Sequence, residues 1–178
     1  MTCADTQLFG VRLLSPQVFN DARGAFIKTY HVGVFRDLGM PFVPVEEFVS
    51  ISRRDVIRGM HLQLPPAAHA KLVYCVVGAV LDVVLDLRRG AGGYGRWMTR
   101  RLSAENREML FIPPGCAHGF LALTDEATMV YQTDTVHAPA SDAGVLWNSF
   151  GFDWPAEQPC LSERDRALPA LENFVSPF

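Results

Sequence analysis

Four stretches of this 178-residue chain hold residue types that can move protons or hold anions. The first is Arg58-Gly59-Met60-His61, followed past a proline loop by Lys71. The second runs from Ile112 through Pro113-Pro114-Gly115 to His118 and Phe120. The third is Tyr131, inside Met129-Val130-Tyr131-Gln132, and the fourth is Ser162-Glu163-Arg164-Asp165. An imidazole titrates near neutral pH and suits a base. A phenol, with an ordinary pKa of about 10, is a protonated acid at neutral pH. Lysine and arginine hold a standing or developing negative charge. Each residue alone has a plainer reading. A single strand histidine is usually a hydrogen-bonded structural group, and Pro-Pro-Gly is common turn chemistry. Tyr131 would be a core aromatic with a satisfied hydroxyl, and Asp165 a helix cap or a solvated carboxylate. Together they form the set that one kind of reaction needs.

The elements that must position them read as β. Thr6 to Pro16 is a strand candidate, followed by a turn cluster at Asn20–Gly24 and a strand over Ala25–Tyr30. His31 to Gly39 suits a short helix closed by Gly39, and Val43 to Ser52 another strand. Lys71–Val77 and Val80–Leu87 form a hairpin about Gly78-Ala79. On its second strand Leu81, Val83, Leu85 and Leu87 share one face, and Asp82, Val84 and Asp86 the other. Carboxylates on so apolar a strand need partners. Arg88 to Gly95 is a Gly-rich loop. Short strands follow at Arg96–Leu102, Glu108–Ile112, Gly119–Leu123 and Ala127–Asp134. The proline-containing segment from Pro155 to Phe178 is expected to be irregular or a short helix. Many short strands and almost no helix argue for a sandwich or barrel.

Composition narrows the function classes. At 49% apolar content the chain suits one globular domain spanning 1–178. The net charge of −3, with no block of like charge, points away from nucleic acid and membrane surfaces. Cys3, Cys75, Cys116 and Cys160 form no CxxC pair and suit reduced thiols. The first residues lack the pattern of a signal peptide, and no apolar run approaches the ~18 residues of a membrane span. A soluble cytoplasmic protein is the expectation. A metal is not expected: small barrels often bind one through a His-x-His pair, and here His61-Leu62-Gln63 has one histidine. No Glu or Asp lies between His61 and Asp82, which leaves His118, with His69 and His137 as possible extras.

At these residues the chain resembles the dTDP-4-dehydrorhamnose 3,5-epimerase family, the RmlC-like cupins. The resemblance runs over nearly the whole length. It is carried by Asp21-Ala22-Arg23-Gly24-Ala25-Phe26, Ile57 through His61, Lys71-Leu72-Val73, Gly78 through Arg88, Leu102 through Asn106, Ile112 through Phe120, Tyr131, and Asp153-Trp154-Pro155. The resemblance implies an all-β, cupin-type jelly-roll barrel with short terminal extensions, little helix, no metal and no cofactor. It also implies a homodimer whose N-terminal strands, within 1–50, are exchanged, with 155–178 as a C-terminal tail. By position His61 matches the base, Tyr131 the acid, Lys71 and Arg58 substrate-contacting cations, and His118 a further pocket residue. Asp165 matches the carboxylate that pairs with the base. Arg23 and Phe26 match residues presented to the nucleotide.

The chemistry of such a reaction asks for these groups independently. A ketone at C4 of a nucleotide-linked hexose acidifies the protons at C3 and C5. Inversion needs a base on one face, an acid on the other, and a cation near the oxygen that becomes an enolate. Asp165 would fix the His61 tautomer and stabilise the imidazolium, with Asp82 a rival for that role. Arg58 and Arg23 would clamp the diphosphate. Five positions depart from the family pattern: Lys28 stands where Glu is usual, Glu46 for Gln, Phe48 for Asn, His137 for a second Tyr and Asp142 for Glu. The first three suggest a cytidine-linked substrate, because an ionised Glu46 can only accept hydrogen bonds and cytosine has an exocyclic amine. Two other readings remain open: a metal-free sugar-nucleotide 3,4-ketoisomerase, and a sugar-binding barrel without catalysis.

Overall fold

The computed structural model describes residues 1–178 apart from Ala91. Its strands are β1 (Thr2–Asp5), β2 (Arg12–Ser15), β3 (Gln17–Asp21), β4 (Gly24–Lys28), β5 (Glu46–Arg53), β6 (Ile57–Gln63), β7 (Lys71–Val77), β8 (Ala79–Asp86), β9 (Trp97–Ser103), β10 (Met109–Ile112), β11 (Cys116–Ala122), β12 (Glu126–Thr133) and β13 (Asp142–Gly144). The α-helices are short: α1 (Val32–Asp37) and α2 (Glu163–Arg166). One sheet has the order β1-β2-β10-β7-β12-β5, the other β13-β6-β11-β8-β9, and β3 pairs with β4 in a separate hairpin. Every pairing within the sheets is antiparallel.

The two large sheets face each other. Val73 and Cys75 of β7, Val80 and Val84 of β8, Phe120 of β11, and Met129 and Tyr131 of β12 meet in one buried cluster between them. Period-two alternation explains the composition of each strand. On β8 the inward set carries Asp82 and Val84, as the sequence pattern predicts. The outward set is covered as well: Val83 and Leu85 of β8 and Leu87 just past its end are buried, and Leu81 is partly buried.

That second burial corrects the picture of the C-terminal segment as a tail. It contains the expected short helix, α2, yet it is part of the core. Phe174 packs with Val83, Leu85, Leu87 and Leu121 on the outer face of the five-stranded sheet, with Leu161, Leu171 and Phe178 against the same cluster, and Phe150 and Trp154 join it from just before the segment. The indole Nε1 of Trp154 donates to the Trp147 carbonyl at 2.7 Å, so its one polar group is satisfied. On the other sheet, α1 brings Phe35 against Leu14, Leu72 and Met109. The His31 side chain caps this helix.

The strand expected over Thr6–Pro16 is shorter, Arg12–Ser15, and is preceded by a separate strand, β1, that pairs with it. A turn interrupts the run there, where Thr6 Oγ1 donates to the Leu8 and Val11 carbonyls. Strands expected from Val43 and Gly119 begin at Glu46 and Cys116 instead. The turn at Gly78 is present, with φ +69° and a Cβ position 2.1 Å from the Glu126 carbonyl oxygen, but the expected hairpin is not: β7 pairs with β10 and β12, β8 pairs with β11 and β9, and the turn carries the chain from one sheet to the other.

Candidate active site

One cavity of about 410 Å3 opens between the sheets. Its size suits a small-molecule ligand. The five-stranded sheet contributes Arg58 and His61 from β6 and His118 from β11. The six-stranded sheet contributes Lys71 from β7, Tyr131 from β12, and Glu46, Phe48 and Ser50 from β5. Asp142 of β13, Ser162, and Arg164 and Asp165 of α2 line it too.

A break in β6 aims His61. The β6–β11 register shifts between His118 and Phe120, opposite Gly59. Gly59 has φ +133°, and a Cβ there would lie 2.5 Å from the Gly119 Cα. Only glycine fits so close an approach. Bulges of this kind re-aim side chains beside active sites.

The His61 Nε2 lies 2.6 Å from Asp165 Oδ1. The same carboxylate accepts the Gly59 N–H on Oδ2, and Ser162 caps α2 by accepting the Asp165 N–H. Burial alone would raise the Asp165 pKa, but the His61 bond, with the Gly59 N–H and the Arg164 charge, holds it below the usual carboxylate range. An ionised Asp165 only accepts, so neutral His61 carries its proton on Nε2. Nδ1, which makes no hydrogen bond among the described residues, is left with the free lone pair. Burial lowers the His61 pKa, and the charges of Arg164 and Lys71 add to that against the opposing pull of Asp165. The ring is therefore neutral at neutral pH and able to accept a proton.

Lys71 Nζ donates to the His61 carbonyl at 3.1 Å. Burial brings its pKa down to about 8. Tyr131 stands on the opposite sheet from His61. Its hydroxyl is 3.0 Å from Ser50 Oγ, its ring stacks on Phe48 at 4.7 Å, and His118 meets it edge-on at 6.0 Å. Burial raises the Tyr131 pKa above the ordinary phenol value, so it is protonated. At the rim, Arg58 donates to Ser52 Oγ and the Ile51 carbonyl.

Asp82 does not orient His61. Its Oδ2 is 2.8 Å from His118 Nε2, both side chains are buried, and burial raises the Asp82 pKa. The inward face of β8 predicts a histidine partner for Asp82 but does not say which histidine. Arg164 gave no signal of its own beyond its place next to Asp165. Its Nη1 is 3.1 Å from His61 Nε2, and its Nη2 donates to Asp142 Oδ2 at 2.6 Å. Ser50, also unforeseen, lies in a strand with no motif.

The remaining expected residues divide. Glu46, His137 and Asp142 line the cavity, where Glu46 Oε2 accepts the His137 backbone N–H at 2.6 Å. Arg23 and Phe26 do not line it. They sit on the β3–β4 hairpin, Arg23 paired with Asp21 and Phe26 63% exposed beside Phe19. Lys28 ends the same hairpin. His69 lines the cavity with Nδ1 3.0 Å from the Gln63 amide nitrogen, and burial lowers its pKa to about 4. Among the described residues no group of three or more His, Cys, Asp or Glu converges as a metal site would require.

The family model of dTDP-4-dehydrorhamnose 3,5-epimerase matches residues 5–173. The chain belongs to this family. It is accordingly an isomerase-class enzyme, and its two-sheet fold is the cupin jelly roll of that family. The dTDP-4-dehydrorhamnose 3,5-epimerase of Shigella flexneri is 40% identical over 168 residues, covering 93% of each chain. The crystal structure of the Bacillus anthracis epimerase with TDP and PPi bound superposes with a TM-score of 0.92, at 37% identity, covering 95% of this chain and 98% of that one. The Legionella pneumophila family member in complex with dTDP-4-keto-L-rhamnose gives a TM-score of 0.93, at 31% identity, covering 98% and 94%. No helix among the described residues is long and apolar enough to cross a membrane.

Proposed function

We propose that this family member inverts C3, C5 or both in a nucleotide-diphosphate-linked 4-keto-6-deoxy hexose, in deoxysugar biosynthesis in the cytoplasm. One observation carries the reading: His61 and Tyr131 face one cavity from opposite sheets, with Lys71 bonded to the His61 carbonyl. His61 Nδ1 takes the proton beside the ketone, and Asp165 stabilises the imidazolium. Lys71 holds the enolate oxygen. Tyr131 delivers a proton to the other face. Such steps need no metal and no cofactor. Arg58, at the rim, holds the diphosphate.

The nucleotide proposed is dTDP. The argument for cytidine rests on a free Glu46 carboxylate, and one of its oxygens is taken by the His137 N–H. Recognition completes in a homodimer, in which the β3–β4 hairpin of each protomer carries Arg23 and Phe26 to the neighbour's cavity. The edge strand β5, with Val49 and Ile51 turned outward and exposed, supports that association.

NMR in D2O with dTDP-4-keto-6-deoxyglucose and its CDP counterpart tests the reading, with and without chelator. The expected result is deuterium at C3, C5 or both with inversion, faster for dTDP and indifferent to chelator. A carbonyl moved to C3 would assign a ketoisomerase, and no exchange a binding protein.

A further inference from the structure

The Tyr131 hydroxyl has one hydrogen-bond partner among the described residues, Ser50 Oγ at 3.0 Å. Tyr131 is buried, whereas Ser50 is half-buried and lines the cavity. Phe48 covers one face of the phenol ring, and the His118 ring lies edge-on to it. When the phenol proton points at a substrate, Tyr131 cannot also donate to Ser50, so Ser50 must then donate to the tyrosine oxygen.

This matters because each inversion leaves the enzyme changed. On the acid–base reading given above, on which this inference rests, His61 ends with the sugar's proton and Tyr131 ends without its own. A phenolate buried to this degree in the cavity wall is costly and must be reprotonated before the next turnover. We infer that Ser50 is the proton relay that returns Tyr131 to its acid form. The phenolate takes the Ser50 hydroxyl proton while Ser50 takes one from a cavity water. The hydroxide so formed is neutralised by the proton that His61 releases to water. One O–H bond forms at Tyr131, one breaks and one forms at Ser50, and water ends unchanged.

Rapid-quench measurement of Ser50→Ala with dTDP-4-keto-6-deoxyglucose tests the relay, because a relay acts only after the first turnover. The expected trace is a burst of up to one equivalent per site at the wild-type rate. A steady state slower by roughly tenfold or more follows it, and Ser50→Thr restores that phase. A first turnover slowed by the same factor as the steady state would mean that Ser50 only orients the phenol, and would overturn the relay. Unchanged rates in both phases would overturn it too. Should Ser50→Ala fail to fold, Ser50→Val, which matches threonine in shape and lacks the hydroxyl, is read in the same way against Ser50→Thr. Wild-type protein that never inverts the sugar would overturn the reading of the reaction along with the relay. Failure of the relay alone leaves wild-type inversion intact.

Discussion

His61 and His118 are direct cross-strand partners on β6 and β11, yet each bonds through Nε2 to a different carboxylate. Asp165 comes from the C-terminal segment and Asp82 from β8. The His61 side chain is 25% exposed and the His118 side chain 3%. The first pair meets the cavity, where the proposed mechanism uses it as the base. The second is a buried frame for the wall beside it.

Substitutions should separate the two pairs. His61→Asn is expected to lower deuterium exchange and inversion together by about 10²–10⁴-fold in a folded protein. Asp165→Asn should lower both for the same reason, since an amide stabilises an imidazolium less well. Asp82→Asn should act mainly on stability, read as a lower Tm with exchange retained. Near wild-type exchange in folded His61→Asn would remove His61 from the role of base.

Tyr131→Phe should uncouple exchange from inversion. With His61 and Lys71 intact the enolate still forms and picks up deuterium on the original face, while protonation from the opposite face slows. His137 lines the same cavity, so Tyr131→Phe with His137→Ala belongs beside the single variant. Wild-type inversion by both variants would refute a two-sided mechanism on these residues. A hydroxyl serving only its hydrogen bond would cost about 1 kcal/mol of stability when removed and leave the chemistry alone.

The pH profile of kcat/KM should be bell-shaped, reporting the free enzyme. His61 acts as a base only when neutral, and its pKa is lowered from 6.5, so the acid limb falls below that value. Activity is lost as pH drops through it. Lys71 must be charged, and burial sets its pKa at about 8, so the alkaline limb lies near pH 8. The Arg164 charge is one of the causes that lower His61. Arg164→Gln should therefore move the acid limb to higher pH. A limb that stays in place would show that Arg164 does not tune the base.

Gly59→Ala should damage both fold and site. The added Cβ would meet the Gly119 Cα at 2.5 Å and the His118 carbonyl oxygen at 3.0 Å, with φ at +133°. Both contacts are backbone and cannot swing away. A loss of about 2–3 kcal/mol is expected, which for a chain of this size lowers Tm by roughly 5–10 °C. Calorimetry reads it, and an unchanged Tm would show that the bulge relaxes freely.

Much of this site is legible in the sequence. Strand alternation places Asp82 on the inner face of β8, and His61, Lys71, His118 and Tyr131 stand in short segments whose residue types suit one reaction. Other parts carried no local mark. The segment after Pro155 has no hydrophobic period, because its aromatics fill gaps on a sheet that other strands build. Which histidine Asp82 meets depends on the β8–β11 register, and that is a long-range fact. Ser50 reads as an ordinary strand residue until β5 is laid beside β12. Arg23 and Phe26 are named by resemblance alone, and within one chain their hairpin stands away from the cavity.

The proposed base and its carboxylate lie 104 residues apart in sequence, and the carboxylate is synthesised after every strand of both sheets. A chain emerging from the ribosome can assemble both sheets and still lack a working base. On the proposed mechanism, full activity waits until residue 165 has cleared the exit tunnel and α2 has docked beside β6. Products of proteolysis that lose α2 would lose the carboxylate that pairs with His61 by the same geometry. The proposed mechanism thus ties turnover to copies that carry α2, and copies cut short before it would keep the cavity walls with a base that lacks its carboxylate.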